Sequence, residues 1–163
     1  MKLRKVAMSV TIVLGLLAGS VPAMAAGSSR ELRGIRVMPG GVVVGDRIVY
    51  EEADVVVVPA GVGIEGFDSC PSGSLCLFEN TNWQGSMMQL SACCAWHNLA
   101  DFGFNNVASS WRNRKNVDGQ IAMGAGGGGT RLCLNNNSYA SSMPSGWNDT
   151  ASSIRVRDAS TYC

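Results

Sequence analysis

The chain has 163 residues, with 13 Lys and Arg against 12 Asp and Glu, a single His and six Cys. Such a near-neutral balance argues against nucleic acid or a polybasic membrane surface as partner. Its length suits one domain plus an extension rather than several domains.

The N-terminus reads as an export signal. Met1–Lys5 is basic, the run from Val6 to Ala18 is mostly apolar, and Ala23-Met24-Ala25 is an A-x-A cleavage signal. Residues 1–25 are therefore predicted to be removed, and Lys2, Arg4 and Lys5 go with them, leaving ten basic against twelve acidic residues. The apolar run is short and interrupted by Ser9 and Thr11, too little for a stable span. No Cys follows the cleavage site for a lipid anchor, and no second span is visible. The mature protein is expected to be secreted, soluble and monomeric, with no membrane attachment after signal removal.

Residues 26–69 contain no Cys and no Trp. Their Val-rich runs, "GGVVVGDRIVY" and "ADVVVVPAG", are bounded by Gly, Asp and Pro and read as short strands with tight turns. Hairpins are marginal alone. The segment is thus a strand-rich extension docked on the main domain, a pro-segment, or a linker.

Residues 70–163 form the predicted ordered domain. Short apolar runs ("SLCLF", "SMMQL", "QIAM", "TRLCL", "SIRVR") alternate with Gly, Asn and Ser clusters, and only "WHNLADFGF" suggests a helical turn. This pattern predicts an all-β antiparallel sandwich or barrel. All six cysteines lie here: Cys70, Cys76, Cys93, Cys94, Cys133 and Cys163. In an exported chain they read as three disulfides with fifteen possible pairings. Adjacent Cys93 and Cys94 are expected to take different partners, and a bridge from Cys163 would pin the C-terminus.

The domain also repeats itself. "NNVASS" at Asn105–Ser110 returns as "NDTASS" at Asn148–Ser153, each after an aromatic residue and before an apolar residue and Arg. Laid over each other, Leu77–Leu90 faces Ile121–Leu134, so each half looks like one four-stranded unit. In the first half, Phe78, Trp83 and Gly85 fit aromatic-x4-aromatic-x-Gly, a folded hairpin in which two rings pack and the glycine takes a positive φ. The second half has Ala122, Gly127 and Gly129 there, and its glycine run predicts a floppy hairpin.

These motifs resemble the βγ-crystallin Greek key, two of which make one sandwich domain. The start "CPSGSLCLF" at Cys70–Phe78 also resembles the secreted actinobacterial metalloproteinase inhibitors, a peptidase inhibitor family of the same fold. The resemblance implies a Cys70–Cys76 bridge and an inhibitor of a thermolysin-like extracellular metalloprotease, acting by a rigid loop entering the protease cleft. That family's short disulfide-closed loop in the second half is missing, since Cys133 and Cys163 lie thirty residues apart. No reactive loop carries over residue by residue. The loops around Cys93–Trp96 and Asn135–Ser145 are the candidates.

The βγ-crystallin resemblance further implies two calcium sites, with Asn106 and Ser109 from the first hexapeptide and Asp149 and Ser152 from the second. Glu79 and Asp101 could add charge. With Asp149 the one carboxylate of the motifs, binding would be weak, on the order of 10⁻⁴–10⁻³ M, and no cofactor is required. Against this, Asn and Ser stabilise turns without metal, and Ser110 and Ser153 are placed to tether the hairpins. A calcium-binding structural module of the cell exterior is thus the alternative to an inhibitor. A toxin with residues 26–69 as its pro-region is a third reading.

Little else carries chemistry. His97 stands three residues after Cys94, but zinc needs three or four such ligands. No G-x-S-x-G, H-E-x-x-H or paired acidic motif is present, so the chain is read as a non-enzyme. "GAGGGGTR" lacks the G-K-[ST] ending of a phosphate loop. "WRNRKN" at Trp111–Asn116 is a small basic turn, and Asn136 and Asn148 begin glycosylation sequons.

Overall fold

A computed structural model describes residues 30–62, 66–159 and 163. The predicted signal, residues 1–25, lies outside the described residues. The chain runs through β1 (Glu31–Leu32), β2 (Ile35–Arg36), β3 (Val42–Val44), β4 (Arg47–Tyr50), β5 (Val55–Val58), β6 (Leu75–Asn80), β7 (Gln84–Leu90) and β8 (His97–Asn98). It continues through β9 (Ser110–Asn113), β10 (Gly119–Ala122), β11 (Arg131–Leu134), β12 (Tyr139–Ala140) and β13 (Ser153–Val156). The only helical elements among the described residues are short 3₁₀ turns, including Leu99–Phe102 within "WHNLADFGF". None is long and apolar enough to cross a membrane.

Two sheets pack face to face. One has the order β11-β10-β13-β8, the other β12-β9-β6-β7-β5-β4-β3, and every pairing is antiparallel. The expected four-stranded units need one correction. The third strand of each repeat, β8 and β12, leaves its own repeat and pairs with the last strand of the other, His97 against Ile154 and Ala140 against Trp111. A long connection returning across a sandwich is the Greek-key way of covering both sheets. It also forces the segments after β8 and β12, which hold the two hexapeptides, to cross between the sheets.

The valine-rich segment is a docked extension. Gly45-Asp46 forms a two-residue loop between Val44 and Arg47, with Gly45 at φ +60°, as such hairpins require. β5 then pairs with β7 from Val55↔Leu90 to Val58↔Met87, which carries the first sheet outward. Ile48, Tyr50, Val55 and Val57 are buried in the same apolar cluster as Leu75, Leu77 and Leu90. Period-two alternation explains why "LCLF" is wholly buried. Leu75 and Leu77 enter the core between the sheets, whereas Cys76 and Phe78 join Cys70, Val58 and Met87 on the opposite face.

Three disulfides staple the domain. Cys70 pairs with Cys76 and Cys133 with Cys163, the latter tying the terminal residue to β11. The third joins Cys93 to Cys94. That corrects the expectation of separate partners for these neighbours. The other four cysteines satisfy one another, and the exposed β7–β8 loop leaves this pair only each other.

Candidate functional site

The two hexapeptides meet across the sandwich in a near-twofold arrangement. Asn106 and Asp149 both take left-handed backbone conformations, at φ +56° and +54°, a region Asn and Asp tolerate better than most residues. The Asn106 N–H donates to Ala151 O at 2.9 Å, and the Asp149 N–H donates to Ala108 O at 3.1 Å. These reciprocal bonds lock each loop onto the other.

The same crossing brings together the four predicted ligands in two pairs, each drawn from both motifs. Ser109 Oγ donates to Asp149 Oδ1 at 3.2 Å, and Ser152 Oγ donates to Asn106 Oδ1 at 3.3 Å. Asn148 Nδ2 donates to the other Asp149 oxygen at 2.7 Å. Asn106 and Asp149 are exposed, while Ser109 is buried beneath them. All donors are hard oxygens, so the set fits a hard cation, with one carboxylate between the two pairs. The two further carboxylates do not add to it. Glu79 accepts the Ser86 N–H at 2.9 Å inside the β6–β7 hairpin. Asp101 lines a cavity of about 330 Å³ with Tyr50, Glu51 and Phe102, whose walls include no hexapeptide residue.

The last serine of each hexapeptide is a tether. Ser110 Oγ donates to Asn80 O at 2.6 Å and accepts the Trp83 N–H at 3.1 Å. Ser153 Oγ donates to Gly124 O at 2.6 Å and accepts the Gly127 N–H at 3.0 Å. Both hydroxyls therefore hold the folded corner of the hairpin beside them, in equivalent registers, Phe78↔Ser110 and Ala122↔Ser153.

The second hairpin folds into the same corner as the first. Gly126 and Gly127, at φ +60° and +82°, repeat the conformations of Asn82 and Trp83 at +58° and +57°, and Gly129 repeats Gly85. The missing aromatic is supplied from elsewhere in the chain. The Trp96 indole lies against Gly127, where a Cβ would come within 2.7 Å of Trp96 Cδ2. The guanidinium groups of Arg155 and Arg131 stand over that ring, 4.7 and 5.4 Å from its centroid. Sequence reasoning missed Trp96. Its one trace was a glycine standing where the motif calls for an aromatic residue. In the first repeat, Trp83 instead packs edge-on against Phe67 and Tyr139, at 4.9 and 5.7 Å.

The remaining candidates have structural roles. His97 Nε2 is buried with no hydrogen-bond partner among the described residues, and burial pushes its pKa below the usual value against a weaker opposing pull from Asp54. Cys94, three residues before it, is in a disulfide. Among the described residues, the one His, Cys, Asp and Glu group at ligand spacing is Asp118 with Cys133 and Cys163, and its sulfurs are bonded to each other. In the basic turn, Arg112 pairs with Asp68 at 3.0 Å and stacks on Phe67, and Arg114 donates to Cys70 O at 2.9 Å. The glycine-rich run is the hairpin corner described above.

Comparison with known proteins agrees with this architecture. Residues 64–121 match the model of peptidase inhibitor family I36. No curated protein matches the chain. A solved βγ-crystallin domain, from a study of the evolution of the eye-lens βγ-crystallin fold, aligns at 23% identity and a TM-score of 0.50. The alignment covers 56% of this chain and 92% of that one. A βγ-crystallin domain from Flavobacterium johnsoniae aligns at 26% identity and a TM-score of 0.45, over 53% of this chain and 97% of its own. The chain therefore has a disulfide-stapled βγ-crystallin-like fold, and its residues 64–121 match the model of peptidase inhibitor family I36.

Proposed function

We propose that the protein is a secreted inhibitor of an extracellular peptidase, with a thermolysin-like metalloprotease as its target. The family match over residues 64–121 carries this reading, since it covers the Cys70–Cys76 bridge and the whole first repeat. The physical design suits the task. A two-sheet domain with three disulfides holds its loops in one conformation before contact, which lowers the entropic cost of binding and slows release. Three disulfides also support an oxidising, extracellular setting. The test is a titration of the oxidised, signal-free protein against thermolysin, with a serine protease as control and calcium held constant. Stoichiometric, selective loss of thermolysin activity is expected. Full thermolysin activity at large molar excess of folded protein sinks the proposal.

A second reading, a calcium-stabilised module, is favoured by the cross-motif oxygen pairs. Asn106 with Ser152, and Ser109 with Asp149, would hold the ion, with the Asp149 carboxylate supplying the charge. Binding to the folded state alone stabilises by mass action, by about 2.7 kcal/mol at a hundredfold excess over Kd. On this reading, calcium raises Tm by several degrees. Asp149→Asn, which keeps a residue suited to the left-handed turn but removes the charge, abolishes most of that rise while changing the calcium-free Tm little. A calcium-independent Tm in the wild-type protein removes the reading.

A further inference from the structure

We infer that the loop from Ser91 to Ala95, with the arginines behind it, is the surface that enters the peptidase cleft; this rests on the inhibitor reading above. The loop joins β7 to β8 and is held at both ends. The Ser91 N–H donates to Asp54 O at 3.0 Å, Lys115 Nζ donates to Ser91 O at 2.8 Å, and the Cys94 N–H donates to Val156 O at 2.9 Å. The Cys93–Cys94 bond closes its apex, and Trp96 immediately after is seated on Gly127 beneath Arg155 and Arg131. Between these anchors Cys93, Cys94 and Ala95 are exposed. The apex is thus fixed, small and uncharged. It can be buried in a cleft without desolvating a charge or ordering long side chains.

The competing loop, Asn135–Ser145, contributes strand β12 and the buried Met143 to the fold. The Asn136 N–H donates to Asp118 Oδ1 and the Asn137 N–H to Lys115 O. It also lies outside the residues that match the inhibitor family, whereas Ser91–Ala95 lies within them. Arg131 and Arg155 stand over the Trp96 ring next to the apex, and Arg157 lies near Arg155 with Asp158 opposing it, so the charge behind the apex is net basic. The partner that fits is a peptidase whose cleft has an acidic rim, drawn in by long-range attraction that salt screens.

The experiment measures inhibition of thermolysin by the wild-type protein and by Ala95→Glu, Arg131→Glu and, as control in the other loop, Ser142→Glu. Tm is measured for each. Ala95 is exposed and outside the left-handed region, so Ala95→Glu should fold as the wild type does. The expected result is a rise in Ki of about tenfold or more for Ala95→Glu, the loss typical of an interface centre. Arg131→Glu is expected to slow association and flatten its salt dependence, and Ser142→Glu to leave Ki unchanged. Wild-type inhibition that Ala95→Glu retains overturns the loop assignment and leaves the inhibitor reading in place. Absence of inhibition by the wild-type protein overturns both.

Discussion

Gly127→Ala is expected to destabilise the protein by about 2–5 kcal/mol, a large loss for one methyl group. Two costs add. Gly127 sits at φ +82°, where a side chain costs roughly 1–2 kcal/mol. The new methyl also has to displace the Trp96 indole, and overpacking of this kind costs roughly 1–3 kcal/mol. Trp96 cannot swing away freely, because Arg155 and Arg131 stand over its ring and Arg155 is itself held by Gln120 at 2.7 Å. The two costs separate in a double-mutant cycle with Trp96→Ala. Without the indole, Gly127→Ala should cost only its backbone strain, so the pair couples by about 1–3 kcal/mol. Urea unfolding of the four proteins measures this. Additive effects would mean that Trp96 does not take the place of the missing aromatic.

Ser153→Ala and Ser110→Ala form the second large prediction. Each hydroxyl is fully buried and bridges a backbone carbonyl and a backbone N–H of its hairpin corner. Removing it strands two polar groups, at roughly 1–3 kcal/mol each, so a total loss of about 2–6 kcal/mol is expected. Ser153→Ala should be the costlier. The hairpin it holds is built from glycines, which lose the most conformational freedom on folding. Both corners have further anchors, Trp83 Nε1 donating to Trp111 O at 3.1 Å in the first and the Gly126 N–H donating to Asn98 Oδ1 at 2.7 Å in the second, so the glycine content sets the order. Thermal unfolding against the exposed control Ser142→Ala, expected within about 0.5 kcal/mol of wild type, measures the effect. The reverse order would show that the Trp96 stack, not Ser153, holds the second corner.

These predictions mark what could be read from the chain. The all-β class, the doubled hexapeptide and the tethering serines are local or periodic features. Short alternating runs dictate strands, and a polar hexapeptide written twice dictates two equivalent turns whatever surrounds them. The Cys70–Cys76 bridge spans few residues and came with the family's opening motif. The four oxygen donors were named through the family resemblance of the repeat, not from the turn alone.

Contacts between distant segments were not legible. β8 and β12 have two residues each, too few to carry a pattern, so only packing decided that they cross to the opposite sheet. That crossing sets Ser109 against Asp149 and Ser152 against Asn106. The joining of Cys93 to Cys94 depended on where the remaining cysteines fell. The docking of β5 on β7 was settled by burial of Ile48, Tyr50, Val55 and Val57, which the sequence presents equally well as linker or pro-segment. Trp96 is the sharpest case. Its ring restores a corner of the other repeat, and a hole of the right shape in a folded structure leaves no mark on sequence spacing. By itself the sequence determined the turns, the strands and the repeat, because these depend on neighbouring residues. The tertiary structure alone decided which strands cross between the sheets and which ring fills the corner at Gly127, because that depends on what every other segment has already buried.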